Sequence, residues 1–479
     1  MSRRCIACLL VACFAVTLTP GLGAFAAGRD TGRPGSFLAR DGEIYDSQGR
    51  IAYFRGVNVA GNAKVAADCL PFQPGETRWW EYLKSWGFNL VRFTVFWEGI
   101  EPEEGRYDEA YLGCVKQLLQ EAAKRDIYIM VDMHQDLFSR WLKGDGAPRW
   151  VVEECGVNPD SNDGFGGQFW GLANALSRDV KKCYRSFWES EHLKEHYREA
   201  FVEVAQSVKD NDHVLGYDIF NEPQAIDISN VGGHFENDIL KPFYEETILA
   251  LRDVDPDAIG FVEPVATEMY SSKLTPFNVG NLVYANHLYD TIANTFKVMI
   301  LPDRLMFTVL HKAEKDKAKE LGMPLLVGEC GAPWNLWPQG GHDKVVNDLY
   351  TVFENGFTSS ALWDYSVRDV DVWNAEDYSL IDRNGQPRGL ETVARPYVRR
   401  LNGTPVKQTF NRCIKKYELE FYGEAGGPPT VASVPASIQY PVGFNVSVSD
   451  GKWRYASGKR ELSYFPGSGG KHRVVITKR

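Results

Sequence analysis

After residue 27 the chain has no Cys-x-x-Cys pair, no His-Glu-x-x-His and no long apolar run. The first absence removes the usual zinc and thioredoxin-like frames. The second removes the metallohydrolase helix. The third matters because a spanning helix needs about 20 apolar residues. There is no block of basic residues either: 63 acidic side chains face 53 basic ones, a net charge of −10 over 479 residues. That balance argues against non-specific nucleic-acid binding and against charge-driven docking on anionic lipid. Low-complexity segments are missing too. With 24% charged and 44% hydrophobic residues, wholesale disorder is excluded.

Residues 1–27 stand apart. Arg3 and Arg4 begin them, Cys5–Val16 is an apolar core, and Ala24-Phe25-Ala26 is a small-residue cleavage pattern. We read them as a secretory leader and expect a secreted protein, with anchoring through Cys13 as a lesser alternative. Three of the nine cysteines (Cys5, Cys8, Cys13) lie in that leader. The six that remain permit disulfides in an exported chain but do not specify a pairing.

From residue 40 a short β-rich run, a loop and a helical pattern recur. Eight runs are legible: Ile51–Val59, Asn89–Val95, Ile127–Met133, Val214–Asn221, Ile259–Ala266, Leu282–Tyr289, Pro324–Gly331 and Ser359–Ser366. Amphipathic stretches such as Glu109–Arg125 and Glu191–Lys209 lie between them. Strands alternating with helices imply a parallel sheet with right-handed crossovers. Eight of them imply an α/β fold, a (β/α)8 TIM barrel, whose chemistry sits at the C-terminal ends of the strands. From about Asn402 the helical period vanishes. Alternating segments such as Tyr417–Phe421 and Phe444–Val448 replace it, broken by Gly and Pro. This predicts a barrel over 28–401 and a C-terminal antiparallel β-sandwich over 402–479.

The polar residues of the eight runs cluster at their ends. Asn221-Glu222-Pro223 closes the fourth run, and Gly328-Glu329-Cys330 closes the seventh. Two carboxylates across a barrel mouth suit glycoside hydrolysis, one as proton donor to the leaving oxygen and one as nucleophile. A separation of about 5–5.5 Å gives retention. Asn221 is placed to hydrogen-bond the sugar 2-hydroxyl. Asp132 and His134 share a face of the third run, and His287 and Tyr289 share one of the sixth. Tyr289 is expected to steady the nucleophilic carboxylate. Arg92, costly to bury alone, is expected to pair with a site carboxylate. Trp363 offers a platform for a sugar ring. Asp132, His134 and Asp136 lack metallohydrolase spacing, and Asp160–Gly164 misses the EF-hand frame. No metal is assigned.

These residues together resemble glycoside hydrolase family 5: Arg92 in NLVRF, His134 in VDMHQD, Asn221-Glu222-Pro223, His287-Leu288-Tyr289, Glu329 in LLVGECG and Trp363 in ALWDYS. The resemblance implies Glu222 as acid/base and Glu329 as nucleophile. Within the family, Gly56-Val57-Asn58, Phe93–Tyr107, His134-Gln135-Asp136 and Gly146-Ala147-Pro148 with Trp150 resemble the endoglycoceramidases. That implies a glycosphingolipid substrate, cut between oligosaccharide and ceramide, with no cofactor and no nucleic-acid partner. We expect a monomer that touches a lipid surface or micelle peripherally.

Such a substrate demands a polar end and an apolar end. The stretch Leu137–Ser190 carries Phe138, Trp141, Trp150, Phe165, Phe169 and Trp170, and Trp334, Leu336 and Trp337 follow the seventh run. Either group is a candidate to receive ceramide, or else packs its loop against the barrel. A family 5 β-glucanase or β-glucosidase, including one acting on glucosylceramide or a steryl glucoside, and a non-catalytic glycolipid-binding protein, are the competing readings.

Overall fold

Alternation with period two gives every barrel strand one row of side chains pointing in and one pointing out. In Leu90–Val95 the outward row, Val91, Phe93 and Val95, packs against the surrounding helices. Leu90 joins a separate apolar cluster with Phe54, Met130, Phe261 and Val283, which fills the barrel floor.

The computed structural model describes residues 36–166, 170–225, 228–299, 303–368 and 377–479. The expected leader, with Cys13, and Phe169 lie outside these residues. Eight parallel strands follow one another: β1 (Arg55–Val59), β2 (Leu90–Val95), β3 (Tyr128–Met133), β4 (Val214–Asp218), β5 (Ile259–Val262), β6 (Leu282–Tyr284, resuming at His287–Leu288), β7 (Leu326–Cys330) and β8 (Ser359–Leu362). β8 returns to pair with β1. The first half of β6 pairs with β5 and its second half with β7, which closes the barrel. Between the strands run capped helices. Asp108 accepts from the backbone of Ala110 and Tyr111 at the start of Glu109–Ala123, and Ser190 caps Glu191–Val208.

Two antiparallel sheets form the second layer system. One holds Thr404–Asn411, Lys416–Gly423, Gly470–Lys478 and Phe444–Val448. The other runs through Tyr397–Leu401, Thr430–Ser433, Glu461–Phe465 and Lys452–Ala456, and takes in Phe37–Arg40, Glu43–Asp46 and Ile51–Ala52 from the start of the described chain. The sandwich sheet therefore begins at Tyr397, ahead of the point where the helical period fades, and recruits strands from the far end of the sequence. The first β-rich run is divided for the same reason. Ile51 and Tyr53 enter the sandwich core, whereas Phe54 turns into the barrel floor.

The loop after β3 is not open coil. It carries the helices Arg149–Glu154, Trp170–Leu176 and Arg178–Glu189. Asp163 accepts from the backbone of Arg178 and Asp179, so this acid caps a helix. All six cysteines of the described residues are thiols.

Candidate active site

The inward rows turn from apolar to polar as they climb. Leu90 is followed by Arg92, Met130 by Asp132, Phe261 by Glu263, and Ala285 by His287. Arg92 is fully buried. Its Nε donates to Asp218 Oδ2 at 2.8 Å, Nη1 to Glu329 Oε1 at 2.7 Å and Asn58 Oδ1 at 3.2 Å, and Nη2 to Asn221 Oδ1 at 2.8 Å and Glu263 Oε1 at 3.1 Å. Asp132 Oδ1 stands 2.9 Å from Nη2. A planar fork of five N–H groups thus faces four carboxylates and two amides. Burial lowers the affinity of a guanidinium for its proton, but the surrounding carboxylates more than offset this and hold Arg92 well above its ordinary pKa. One cation does not neutralise four acids. Burial, against the pull of Arg92 and with the help of Glu263 and Asp132, pushes Asp218 well above the carboxylate range.

Glu222 follows β4 in a left-handed conformation, φ 44°, uncommon for a side chain of its kind. Its backbone N–H donates to Glu263 Oε2 at 2.9 Å, which holds the turn. His287 Nδ1 lies 2.8 Å from Glu222 Oε1 and 3.6 Å from Glu329 Oε2, while Nε2 lies 3.2 Å from Glu263 Oε1. A Cβ on Gly328 would stand 3.2 Å from His287 Nε2, so the glycine leaves room for the ring. Burial opposes a charge on His287, but Glu263 and Glu329 raise its pKa well above the usual histidine value. Glu222 is pushed up to about 7, chiefly by burial, with His287 pulling it down and Glu329 adding to the rise. One oxygen of Glu222 and one of Glu329 fall within 4.8 Å of each other and of a His287 nitrogen. Tyr289 Oη donates to Glu329 Oε2 at 2.9 Å. Asn221 Nδ2 donates to Gln135 O at 2.9 Å, which leaves its second N–H for another partner.

A second polar group borders the first. His134 Nδ1 lies 2.7 Å from Asp132 Oδ2, and Nε2 lies 3.3 Å from Asp136 Oδ2. Burial works against its charge, yet Asp132 and then Asp136 carry it to about 10. Lys64 Nζ reaches Asp136 Oδ2 at 2.5 Å, and Trp170 Nε1 donates to Asp136 Oδ1 at 2.7 Å. Trp363 lies parallel to the His134 ring, centroids 5.7 Å apart, with Lys64 Nζ 4.4 Å from its own centroid. His134, Asp136 and Asp145 come close enough to hold an ion, as do Glu222, His287 and Glu329. In the first set the Lys64 ammonium already meets Asp136, and in the second His287 already bridges the two acids.

All nine residues singled out from the sequence thus meet at one mouth: Arg92, Asp132, His134, Asn221, Glu222, His287, Tyr289, Glu329 and Trp363. Sequence reasoning missed Asn58, Asp218 and Glu263 as members of the network, and Lys64. The first three also sit at or just past strand ends, so the rule that found the others applied to them. Lys64 lies in a short 3-10 turn after β1, and no spacing marks it.

The aromatic residues of the loops divide. Phe138 and Leu336 are buried, Trp334 stacks on His342, and Trp150 packs on Trp97. These serve their loops. Trp337 is 67% exposed, and Phe296, near it across the Val298–Trp337 bridge, is 70% exposed.

A closed parallel barrel whose mouth holds two facing glutamates on a shared histidine is the architecture of a two-carboxylate hydrolase. Comparison with known proteins is more specific. Residues 72–369 match the model of the cellulase family, glycosyl hydrolase family 5, and residues 395–476 match the glycoside hydrolase family 5 C-terminal domain. The chain belongs to glycoside hydrolase family 5. It is 24% identical to an endoglycoceramidase of Cyanea nozakii, over 85% of each chain. It is 21% identical to a glucosylceramidase of Rhizopus delemar, over 80% of this chain and 87% of that one. Endo-glycoceramidase II from Rhodococcus sp. in complex with ganglioside GM3 superposes with a TM-score of 0.77 at 25% identity, covering 91% of this chain and 99% of that one. The same enzyme is known as a lactosyl-enzyme intermediate, with a TM-score of 0.75 at 25% identity, covering 93% of this chain and all of that one.

Proposed function

We propose that this family 5 glycosidase is a secreted, retaining endo-β-glycosidase of glycosphingolipids, cutting between oligosaccharide and ceramide and releasing both intact. The observation that carries the reading is the divided mouth. Lys64, His134, Asp136, Trp170 and Trp363 make one side polar and aromatic, as a glycan needs. Trp337 and Phe296 leave an apolar rim on loops after β7 and β6. The endoglycoceramidases among the similar proteins support this reading, and the glucosylceramidases among them share its lipid aglycone.

Retention is supported by glutamate oxygens within 4.8 Å of each other, on the scale of the about 5–5.5 Å carboxyl separation of retaining enzymes rather than the wider inverting gap. In the first step Glu329, held by Arg92 and Tyr289, attacks the anomeric carbon, and Glu222 gives its proton to the departing ceramide oxygen. In the second, Glu222 takes a proton from water, whose oxygen displaces Glu329 from the sugar. The pKa of about 7 suits both duties. The free N–H of Asn221 is available to the 2-hydroxyl.

The competing reading is removal of a single glucose from glucosylceramide, favoured by the long match to the Rhizopus enzyme. Incubation with lactosylceramide, a ganglioside and glucosylceramide, followed by mass spectrometry of both phases, separates the two. Intact oligosaccharide with intact ceramide is expected. Cleavage of glucosylceramide with the longer glycolipids untouched would overturn the proposal.

A further inference from the structure

A second set of ligand atoms assembles on the outside of the barrel. The helix Glu191–Val208 opens with His192 and His196, four residues apart and therefore on one face. Their rings stand 4.5 Å apart. The loop after β2 brings Glu101 and Glu104, and the helix Arg149–Glu154 ends in Glu154. His192 Nε2 lies 3.3 Å from Glu104 Oε1 and 3.7 Å from Glu154 Oε2. One ligand atom each of Glu104, His192 and His196 lies within 4.8 Å of the other two.

The support behind these residues is more telling than the cluster itself. Glu101 is fully buried. It accepts from Gly105 N at 2.7 Å and Trp97 Nε1 at 2.8 Å, and the same carboxylate meets His196 Nδ1 at 2.7 Å. A carboxylate on Nδ1 engages that nitrogen's hydrogen and leaves the lone pair on Nε2. Metal-binding imidazoles are oriented in this way.

We propose that His192, His196 and Glu104, with Glu154 as fourth ligand, bind one Zn²⁺ ion. Zinc bonds to N and O of about 2.0–2.2 Å make a tetrahedral edge of roughly 3.3–3.6 Å. The His192–Glu104 pair already has that separation. Two imidazoles favour zinc over calcium or magnesium, which take oxygen ligands. The sequence expectation of no metal rested on motif spacing. Here the helix contributes only the two histidines, and the carboxylates come from two other segments. The ion ties the loop after β3 to the loop after β2 and to the helix. That loop also carries Trp170, which reaches Asp136 in the mouth. The ion's role is to brace a wall of the mouth, apart from the reacting atoms.

The test uses the untagged full chain, stripped with chelator and then titrated with Zn²⁺. Metal content after gel filtration should reach one zinc per chain, and zinc should raise Tm above that in chelator. Co²⁺ in place of zinc should show the visible bands of a tetrahedral site and quench Trp150, whose ring is 5.2 Å from His196. His192→Gln and Glu104→Gln, both at exposed positions, should keep the parent's Tm in chelator and weaken zinc binding about tenfold or more. A chain that emerges without zinc, or binds it equally well in both variants, overturns the site and leaves ordinary surface ion pairs. Metal content and Tm do not depend on glycolipid cleavage, so this outcome and that of the proposed activity are read separately.

Discussion

The eight strands enclose two interiors. At the floor, Phe54, Met130, Phe261 and Val283 make a purely apolar plug. A few residues higher, the same strands bury Arg92, Asp132, Asp218, Glu263 and His287. The plug gains from every square ångström withdrawn from water. The upper layer gains little, because removing charges from water costs as much as their pairing returns. It survives because the fork of Arg92 and the ring of His287 give nearly every acid a fixed partner. The difference teaches that the floor holds the barrel closed, and the mouth draws on that stability to keep protons and charges where water would not leave them.

The sharpest way to break this contrast is to change one interior and measure the property of the other. The largest effect belongs to the mouth. Glu222→Gln should lower kcat on a glycolipid by about 10²–10⁴-fold. On a glycoside with an acidic phenol as leaving group its first step should suffer far less, whereas Glu329→Gln should silence both substrates. Pre-steady-state kinetics on the two substrates checks this. Next in size, Phe261→Ala should cost about 3–5 kcal/mol of stability in a denaturant titration, with kcat per folded molecule unchanged.

A smaller effect couples the two interiors. Folded Glu222 keeps its proton up to about pH 7, against an ordinary value of 4.5. The stability lent by that proton is whole below pH 4.5 and is lost as pH rises through 7. Glu222→Gln cannot ionise, so its Tm should climb relative to the parent across that window and differ most above pH 7. In the parent, kcat/KM should fall on the alkaline side as the donor loses its proton. The smallest effect is at the rim. Trp337→Ala should move stability by no more than about 0.5 kcal/mol. It should raise KM for glycolipid in vesicles and leave a soluble aryl glycoside unaffected.

Much of this was legible in one dimension. The β/α rhythm announced the barrel, because a strand that alternates and a helix with a 3.6 period bury different faces. Arg92, Glu222, His287 and Glu329 stood out because strand ends are where a barrel exposes polar groups. The loop aromatics were ambiguous, and the reason is physical: an indole fills a core or lines a surface with the same chemistry. Only packing separates buried Phe138 from exposed Trp337.

The sequence by itself determined the eight strands, the order of the elements, the β-rich tail and the identity of the two facing glutamates. All of these follow from local periodicity and from the position of a residue along its own strand. Tertiary structure alone decided which acids share Arg92, that Lys64 lies against Trp363, and that strands at both ends of the chain complete one sandwich sheet. It also decided that Glu101, Glu104 and Glu154 gather around His192 and His196. Each of these depends on groups that barrel closure brings within a few ångströms, where Coulomb energy and desolvation are set by distance and burial.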